Sequence, residues 1–236
     1  MDPMTLVDDL AEAVDALSFA SPVACVYNPL RYARAPLERY FERMWRPRPK
    51  ALLLGMNPGP FGMVQTGIPF GEVELAREWL EVAAPVDAPA VQHPKRPILG
   101  FDSPRSEVSG RRVWGWARER FGEPEAFAER FFVWNWCPLA FLEEGGRNRT
   151  PDKLPAKERE ALQAACDQSL ARVVEALQPA QVVGVGRVAE GAALRALGED
   201  APPIGTILHP SPASPIANRG WAPQAERQLE ALGLLD

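Results

Sequence analysis

The stretch ALLLGMNPGPFGMVQTGIPFGEV, residues 51–73, decides how this chain is organised. Its first four residues form an apolar run of strand length, which predicts a strand buried on both faces. A long loop rich in glycine and proline follows, and four of its side chains could do chemistry: Asn57, Gln65, Thr66 and Phe70. Open α/β sheets bind ligands beyond the carboxyl ends of their strands, so the stretch predicts a ligand site there.

Three more short apolar runs predict strands over residues 131–136, 181–185 and 204–208. Helical patterns separate these strands, which indicates βαβ units. We therefore predict an α/β fold in three α/β/α layers, with a central, mostly parallel four-stranded sheet. No break in composition, repeat or linker divides residues 1–236, so we expect a single domain.

The spacing of apolar residues and the capping signals predict the helices. They are expected over residues 5–18, 36–45, 72–79, 106–121, 155–177, 188–197 and 218–232. The segment 22–30 is expected to be extended, and the polar or proline-rich segments 84–104 and 145–155 are expected to be loops.

Composition narrows the function classes. The three cysteines lie far apart and the chain has only two histidines, so we expect no disulfide framework, zinc site, iron–sulfur cluster or other cofactor. No segment resembles a membrane span or a signal peptide, and we expect a cytoplasmic protein with no membrane partner. The net charge of −5 does not by itself suggest a nucleic-acid binder, although one basic face would suffice for DNA.

A second stretch, HPSPASPIANRGW at residues 209–221, also follows a short apolar strand. Together, the two stretches closely resemble the signature motifs of the single-strand-selective monofunctional uracil-DNA glycosylases, a branch of the uracil-DNA glycosylase superfamily. Segments 93–110, 132–139 and 182–190 resemble that family as well, so the resemblance spans residues 26–221. Each motif alone is a weak signal, whereas the set is highly specific.

The resemblance implies an enzyme that flips uracil out of DNA and hydrolyses its glycosidic bond, leaving an abasic site. Two catalytic residues follow from it. Asn57 falls on the asparagine that positions the attacking water, and an amide can orient a water without taking its proton. His209 falls on the histidine whose N–H faces uracil O2 and stabilises the departing anion. Without the family motif, either residue would more often be structural.

The resemblance also implies the residues that hold the base. Phe70 would stack on it, and Asn135 would donate to O4 and accept from N3–H, which selects uracil over cytosine. Gly59 and Met63 match positions beside the C5 atom of the base, which makes 5-hydroxymethyluracil and related oxidised uracils expected substrates. Met56 is predicted to contact the substrate too.

The loop at 210–221 resembles the family's wedge, which enters the duplex where the base was. Many members have arginine at the position of Ala213, whose short side chain puts strong penetration of the duplex in doubt. Glycines at 184 and 186 suggest a dinucleotide fingerprint, but its spacing fails, which leaves a tight turn or a phosphate site. The predicted DNA contacts are Gly186, Arg187, Pro210, Ser211, Pro212, Ala213 and Arg219.

Neither signature stretch contains lysine, so the sequence offers no obvious amine for strand cleavage and a monofunctional enzyme is expected. The expected partner is uracil-containing DNA, with double-stranded DNA as a second form beside single-stranded, and the protein is expected to be a monomer. Two alternatives stay open. One is a hydrolase or transferase acting on a small nucleoside or nucleotide, and the other is a non-catalytic module that binds damaged DNA.

Overall fold

A computed structural model describes residues 2–198 and 201–235 of the chain. Its α-helices are α1 (Pro3–Asp15), α2 (Pro29–Tyr32), α3 (Arg34–Met44), α4 (Met63–Thr66), α5 (Val73–Glu78), α6 (Val108–Phe121), α7 (Pro124–Ala128), α8 (Ala156–Leu177), α9 (Arg187–Leu197), α10 (Pro215–Asn218) and α11 (Trp221–Ala231). Its strands are β1 (Val23–Tyr27), β2 (Ala51–Gly55), β3 (Phe131–Asn135), β4 (Ala140–Glu143), β5 (Asn148–Arg149), β6 (Gln181–Val185) and β7 (Ile204–Ile207).

The central sheet confirms the prediction of four parallel strands. Its order is β3-β2-β6-β7, and every neighbouring pair is parallel. All five residues of β2 and all five of β3 are buried, because the sheet is covered on both faces. This burial explains why their sequences are continuous apolar runs without alternation.

Helices lie on both sides of this sheet, which confirms the three-layer prediction. The longest helix, α8, packs against α1 and α9, and α9 in turn packs against β6 and β7. Helix α6 contacts α7 and α11, which connects it to β7 through α11. Within the part of the chain that the structure describes, no helix is both long enough and apolar enough to cross a membrane.

A second, antiparallel sheet of order β1-β4-β5 was not predicted. In the sequence, β4 continues the apolar run of β3 after one turn, so the two strands read as one. β5 has only two residues, and it lies inside the segment 145–155 that was predicted to be a loop. Short strands of this kind carry too few residues for a periodic signal.

Other boundaries differ for local reasons. The predicted final helix is in fact two, α10 and α11, because the chain turns at Gly220, whose φ of 121° suits only glycine. The predicted extended segment 22–30 ends early, since α2 begins at Pro29 behind the cap of Asn28. The loop after β2 contains the single helical turn α4.

Candidate active site

A cavity of about 210 Å³ opens at the carboxyl ends of β2, β3 and β7. Because these strands are parallel, the loops that follow them meet at one edge of the sheet. The cavity is lined by Met56, Asn57, Pro58, Gly59, Pro60, Met63, Phe70, Glu107, Ser109, Asn135, Asn148, Thr150, His209, Ser211 and Pro212. Both predicted catalytic residues and all five predicted base-binding residues are therefore in one place.

Backbone hydrogen bonds from the residues that follow β3 hold the start of the loop after β2. The backbone N–H of Trp136 donates to the carbonyl of Gly55 at 2.9 Å, and that of Cys137 donates to Met56 at 2.9 Å. These bonds extend the parallel pairing beyond both strands. The Asn57 amide nitrogen then reaches the Leu139 carbonyl at 3.5 Å, so the amide oxygen remains available to accept from a water.

The side chains of Asn135 and Phe70 pack against the end of β2 because Gly55 has no side chain. A Cβ added at Gly55 would collide with the Asn135 amide oxygen and would lie 2.7 Å from the Phe70 ring. Phe70 itself has φ of 53°, a conformation that costs a bulky residue of the order of 1–3 kcal/mol and that clusters at functional sites. The ring and the amide are thus fixed against one another at the bottom of the loop.

The amide of Asn135 has one further neighbour in the cavity. Its nitrogen lies 3.1 Å from the sulfur of Met63, and both side chains are almost fully buried. A thioether is a weak acceptor, so this contact orients the amide without using up its capacity to donate. A carbonyl oxygen of a bound base would be a much stronger partner for the same amide.

Two polar residues that were predicted from the sequence as candidates for chemistry have a structural role instead. Gln65 donates to the Pro97 carbonyl at 3.1 Å and accepts from the Leu99 N–H at 2.8 Å. Thr66 donates to the Gly71 carbonyl at 3.0 Å. Both are buried, and they hold the loop to its neighbours rather than reaching the cavity.

Glu107 lines the cavity and was not singled out from the sequence. Burial raises the pKa of its carboxyl, and the N–H groups of Phe61 and Ser109 that donate to it offset part of the rise. A Cβ at Gly59 would lie within 2.8 Å of the Glu107 carboxyl carbon. The open side of Gly59 therefore accommodates Glu107, which braces the loop against α6.

His209 is held as a neutral imidazole. Burial lowers its pKa, and its Nδ1 accepts from the Ser211 N–H at 3.1 Å. A neutral ring that accepts at Nδ1 carries its hydrogen on Nε2, which makes Nε2 a donor. Gly186, with φ of 96°, permits this packing, because a Cβ there would lie 2.9 Å from the Cβ of His209.

Arg112 of α6 anchors the loop after His209 by hydrogen bonds. Its guanidinium donates to the carbonyls of Pro210 at 2.9 Å and Ser211 at 3.2 Å, and to the side-chain oxygen of Asn218 at 2.9 Å. Asn218 donates in turn to the Pro212 carbonyl at 2.9 Å. Arg112 gave no signal in the sequence, because a helical arginine is usually a solvated surface residue.

The predicted DNA contacts separate into two groups. Ser211 and Pro212 line the cavity, Pro210 is buried beside it, and Ala213 is exposed at the tip of the loop. The structure does not bring Arg187 and Arg219 to the cavity: both are exposed, and Arg187 lines a separate depression with Trp136. The roles of all these residues stay predictions.

Within residues 2–198 and 201–235, no three His, Cys, Asp or Glu side chains cluster as metal ligands would. The three cysteines are buried and unbridged. The polar side chains that line the cavity carry amides, hydroxyls, an imidazole and a carboxyl.

Comparisons with known proteins decide the family. The profile of the Uracil DNA glycosylase superfamily matches residues 43–229. The chain belongs to this superfamily. It is 48% identical to the single-strand selective monofunctional uracil DNA glycosylase of Mus musculus, over 100% of this chain and 89% of that protein. It is 50% identical to the protein of the same name from Bos taurus, over 99% of this chain and 85% of that one.

The relatives place the chain in the single-strand selective monofunctional branch, as the two signature stretches indicated. The fold has a solved counterpart in SMUG2 of Pedobacter heparinus, with a TM-score of 0.68 and coverage of 97% of both chains. At 18% identity this likeness supports the uracil-DNA glycosylase fold alone.

Proposed function

We propose that this chain is a DNA-repair glycosylase that hydrolyses the bond between uracil and deoxyribose and leaves an abasic site. Family membership and the named relatives support the reaction. The observation that carries the mechanism is the convergence of Asn57, Phe70, Asn135 and His209, from four segments of the chain, on one cavity.

The size of the cavity suits one pyrimidine base. An apolar protein cavity of about 150 Å³ holds benzene, so about 210 Å³ accommodates a six-membered ring with small substituents. A base can occupy it only after leaving the stack, as in other enzymes that do chemistry on bases. Phe70 then offers a ring face for stacking, a contact worth about 1–3 kcal/mol per base.

Asn135 reads the edge of the base. A planar amide offers one acceptor and two N–H groups, which match the N3–H and O4 of uracil. Cytosine presents a donor and an acceptor in the reverse arrangement, so it would leave buried polar groups unpaired in this orientation. Oxidised uracils such as 5-hydroxymethyluracil are proposed as further substrates, with Gly59 and Met63 beside the C5 substituent.

His209 and Asn57 act on the two sides of the broken bond. As the bond lengthens, negative charge develops on uracil O2, and the Nε2–H of neutral His209 donates to it. The sugar becomes oxocarbenium-like and is attacked by a water that the Asn57 amide oxygen orients. None of the described residues that line the cavity is a lysine, which supports hydrolysis without strand cleavage.

We propose a strand preference and an oligomeric state as well. We infer activity on single-stranded DNA from the names of the relatives, with duplex DNA as a weaker substrate because Ala213 is short. A monomer is sufficient, since the cavity is complete within one chain.

The test uses a fluorescein-labelled single-stranded oligonucleotide with one uracil, and a matched strand with thymine instead. We expect alkali to cleave only the uracil strand after incubation. In His209→Ala, single-turnover excision should fall by roughly 10²–10³-fold, the scale of losing one donor to a developing anion, with an unchanged melting temperature. Retention of the strand without cleavage would indicate a binding module. Absence of both retention and cleavage would indicate an enzyme that acts on free nucleosides. Either outcome would overturn the proposal.

A further inference from the structure

A basic groove lies next to the base cavity, and its cations come from segments that the mechanism above does not use. Its cations are Lys95, Arg96 and Arg105, and they surround the half-buried ring of Phe61. The guanidinium carbon of Arg96 lies 5.3 Å from the ring centroid and that of Arg105 lies 4.9 Å from it. The two charges are thus no farther apart than about 10 Å, the Debye length at 0.1 M salt.

These cations lack the acidic partners found elsewhere in the protein. Among residues 2–198 and 201–235, no carboxylate forms an ion pair with Lys95, Arg96 or Arg105. In contrast, six arginines outside the groove are paired with Asp or Glu: Arg31, Arg34, Arg43, Arg149, Arg172 and Arg195. In a chain with more acidic than basic residues, three adjacent unpaired cations repel each other until an anion binds.

The turn that carries Lys95 and Arg96 is rigid. The Tyr27 hydroxyl donates to the Arg96 carbonyl at 2.7 Å and accepts from the His93 N–H at 2.8 Å. The His93 ring accepts from the Lys95 N–H at 3.1 Å and contacts the Glu143 carbonyl at 3.0 Å. His93, the histidine outside the base cavity, therefore builds this turn.

Arg96 still has an unused donor. Its Nη1 donates to the Lys95 carbonyl at 2.8 Å, whereas its Nε is buried without a hydrogen-bond partner. A buried donor of a charged group that lacks a partner is costly. The Arg96 residue is only half-buried, so its outer guanidinium N–H groups can pair with a phosphate oxygen.

The groove and the base cavity share their wall. Pro60 and Glu107 line the cavity, and Phe61 and Arg105 line the groove. Consecutive Cα atoms are about 3.8 Å apart, and the lining residues of the two sites are adjacent on one segment and have a single residue between them on the other. A strand that enters the cavity along this wall would meet the groove within a few nucleotides.

We propose that Lys95, Arg96 and Arg105 bind the phosphodiester backbone of the DNA strand that flanks the extruded uracil. This site is distinct from the predicted contacts in the His209 loop, and it rests on the proposed function. The groove gives an acidic protein a local cationic track, while its net charge limits binding to DNA in general.

The test measures binding rather than excision. The probe is a fluorescein-labelled single strand with one tetrahydrofuran abasic site, and its dissociation constant is measured across salt concentrations. We compare Lys95→Gln, Arg105→Gln and their double variant, all at exposed positions, with the wild type. The matched control is Arg118→Gln, an exposed arginine about 16 Å along α6 from Glu107.

We expect the double variant to bind roughly tenfold more weakly at low salt, less than two buried charge-assisted hydrogen bonds would cost. Its slope of log K against log salt should be shallower by about 1.4, since each phosphate contact on a single strand contributes about 0.7. Arg118→Gln should match the wild type. Neutral methylphosphonates at two adjacent flanking positions should abolish the difference between the wild type and the double variant, and one alone should remove about half of it.

An unchanged slope in the double variant would overturn the proposal, as would an equal loss in Arg118→Gln or the lack of any sensitive phosphate. Excision of uracil at saturating DNA should stay within about twofold of wild type, because the groove does not touch the base. The binding test uses an abasic strand, so it decides on the groove even if the wild type does not excise uracil.

Discussion

The loop after β2 and the loop after β7 line the same cavity, yet they are held in opposite ways. The first is fastened by its own buried side chains, chiefly Gln65 and Thr66, and most of it is inaccessible to solvent. The second is fastened through its backbone carbonyls by Arg112, and its tip at Ala213 is exposed. Base recognition needs fixed side chains, whereas contact with a DNA backbone needs an exposed but anchored chain.

The largest effect is expected in the first loop, at Asn57. Asn57→Ala should lower the chemical step by about 10²–10⁴-fold, because the attacking water loses the group that positions it. Affinity for an abasic strand should be nearly unchanged, since the proposed DNA contacts lie elsewhere. Single-turnover excision and anisotropy titrations measure the two quantities. A large loss of affinity with a normal chemical step would reassign Asn57 to binding.

The next largest effect is expected at Gly55, beneath the same loop. In Gly55→Ala, the new methyl group displaces the Asn135 amide and the Phe70 ring, and a misplacement of about 1 Å costs roughly 10²-fold in rate. The control is Gly115→Ala in α6, where a Cβ meets nothing within 4 Å. That variant should keep full activity and gain about 0.5–1 kcal/mol in free energy of unfolding. Equal activities in the two variants would contradict the tight packing at Gly55.

A smaller effect is expected beneath the second loop. Arg112→Gln should lower kcat/KM by roughly tenfold, the low end of what hydrogen bonds from a charged group contribute. The matched control is Arg111→Gln, an exposed neighbour on the same helix, which should have no effect.

A double-mutant cycle separates positioning of His209 from a general loss of stability. If Arg112 acts by placing His209, then Arg112→Gln should cost little in a chain that already carries His209→Ala. Additive losses would mean that Arg112 stabilises the protein without orienting the imidazole.

The smallest effect concerns the pH dependence of stability, and it tests the second loop through His209. Burial lowers the pKa of His209 in the folded protein, so the unfolded chain binds more protons below its ordinary pKa of about 6.5. The free energy of unfolding should therefore fall as the pH drops through 6.5, and less so in His209→Gln. Urea titrations at pH 7.5 and 5.5 measure the difference. Identical pH dependence in both proteins would show that the imidazole is not held neutral.

The sequence predicted the central sheet and the cavity well because both depend on local signals. Continuous apolar runs marked the buried strands, and the two signature stretches marked the loops at their ends. It missed the structural roles of Glu107, Arg112 and Gly55, because each role depends on contacts with residues that are distant in the sequence. It also missed the second sheet, because β4 reads as a continuation of β3 and β5 has only two residues.

The central claim is that the Asn135 amide reads the uracil edge, and Asn135→Asp tests it most directly. An ionised carboxylate replaces the donor to O4 with an acceptor, which repels uracil O4 and suits the cytosine amino group. The measurement is single-turnover cleavage of matched single strands with uracil or cytosine at one position, at neutral pH. We expect the variant to lose most uracil excision and to gain weak cytosine excision. Wild-type excision of uracil by the aspartate variant would contradict the account.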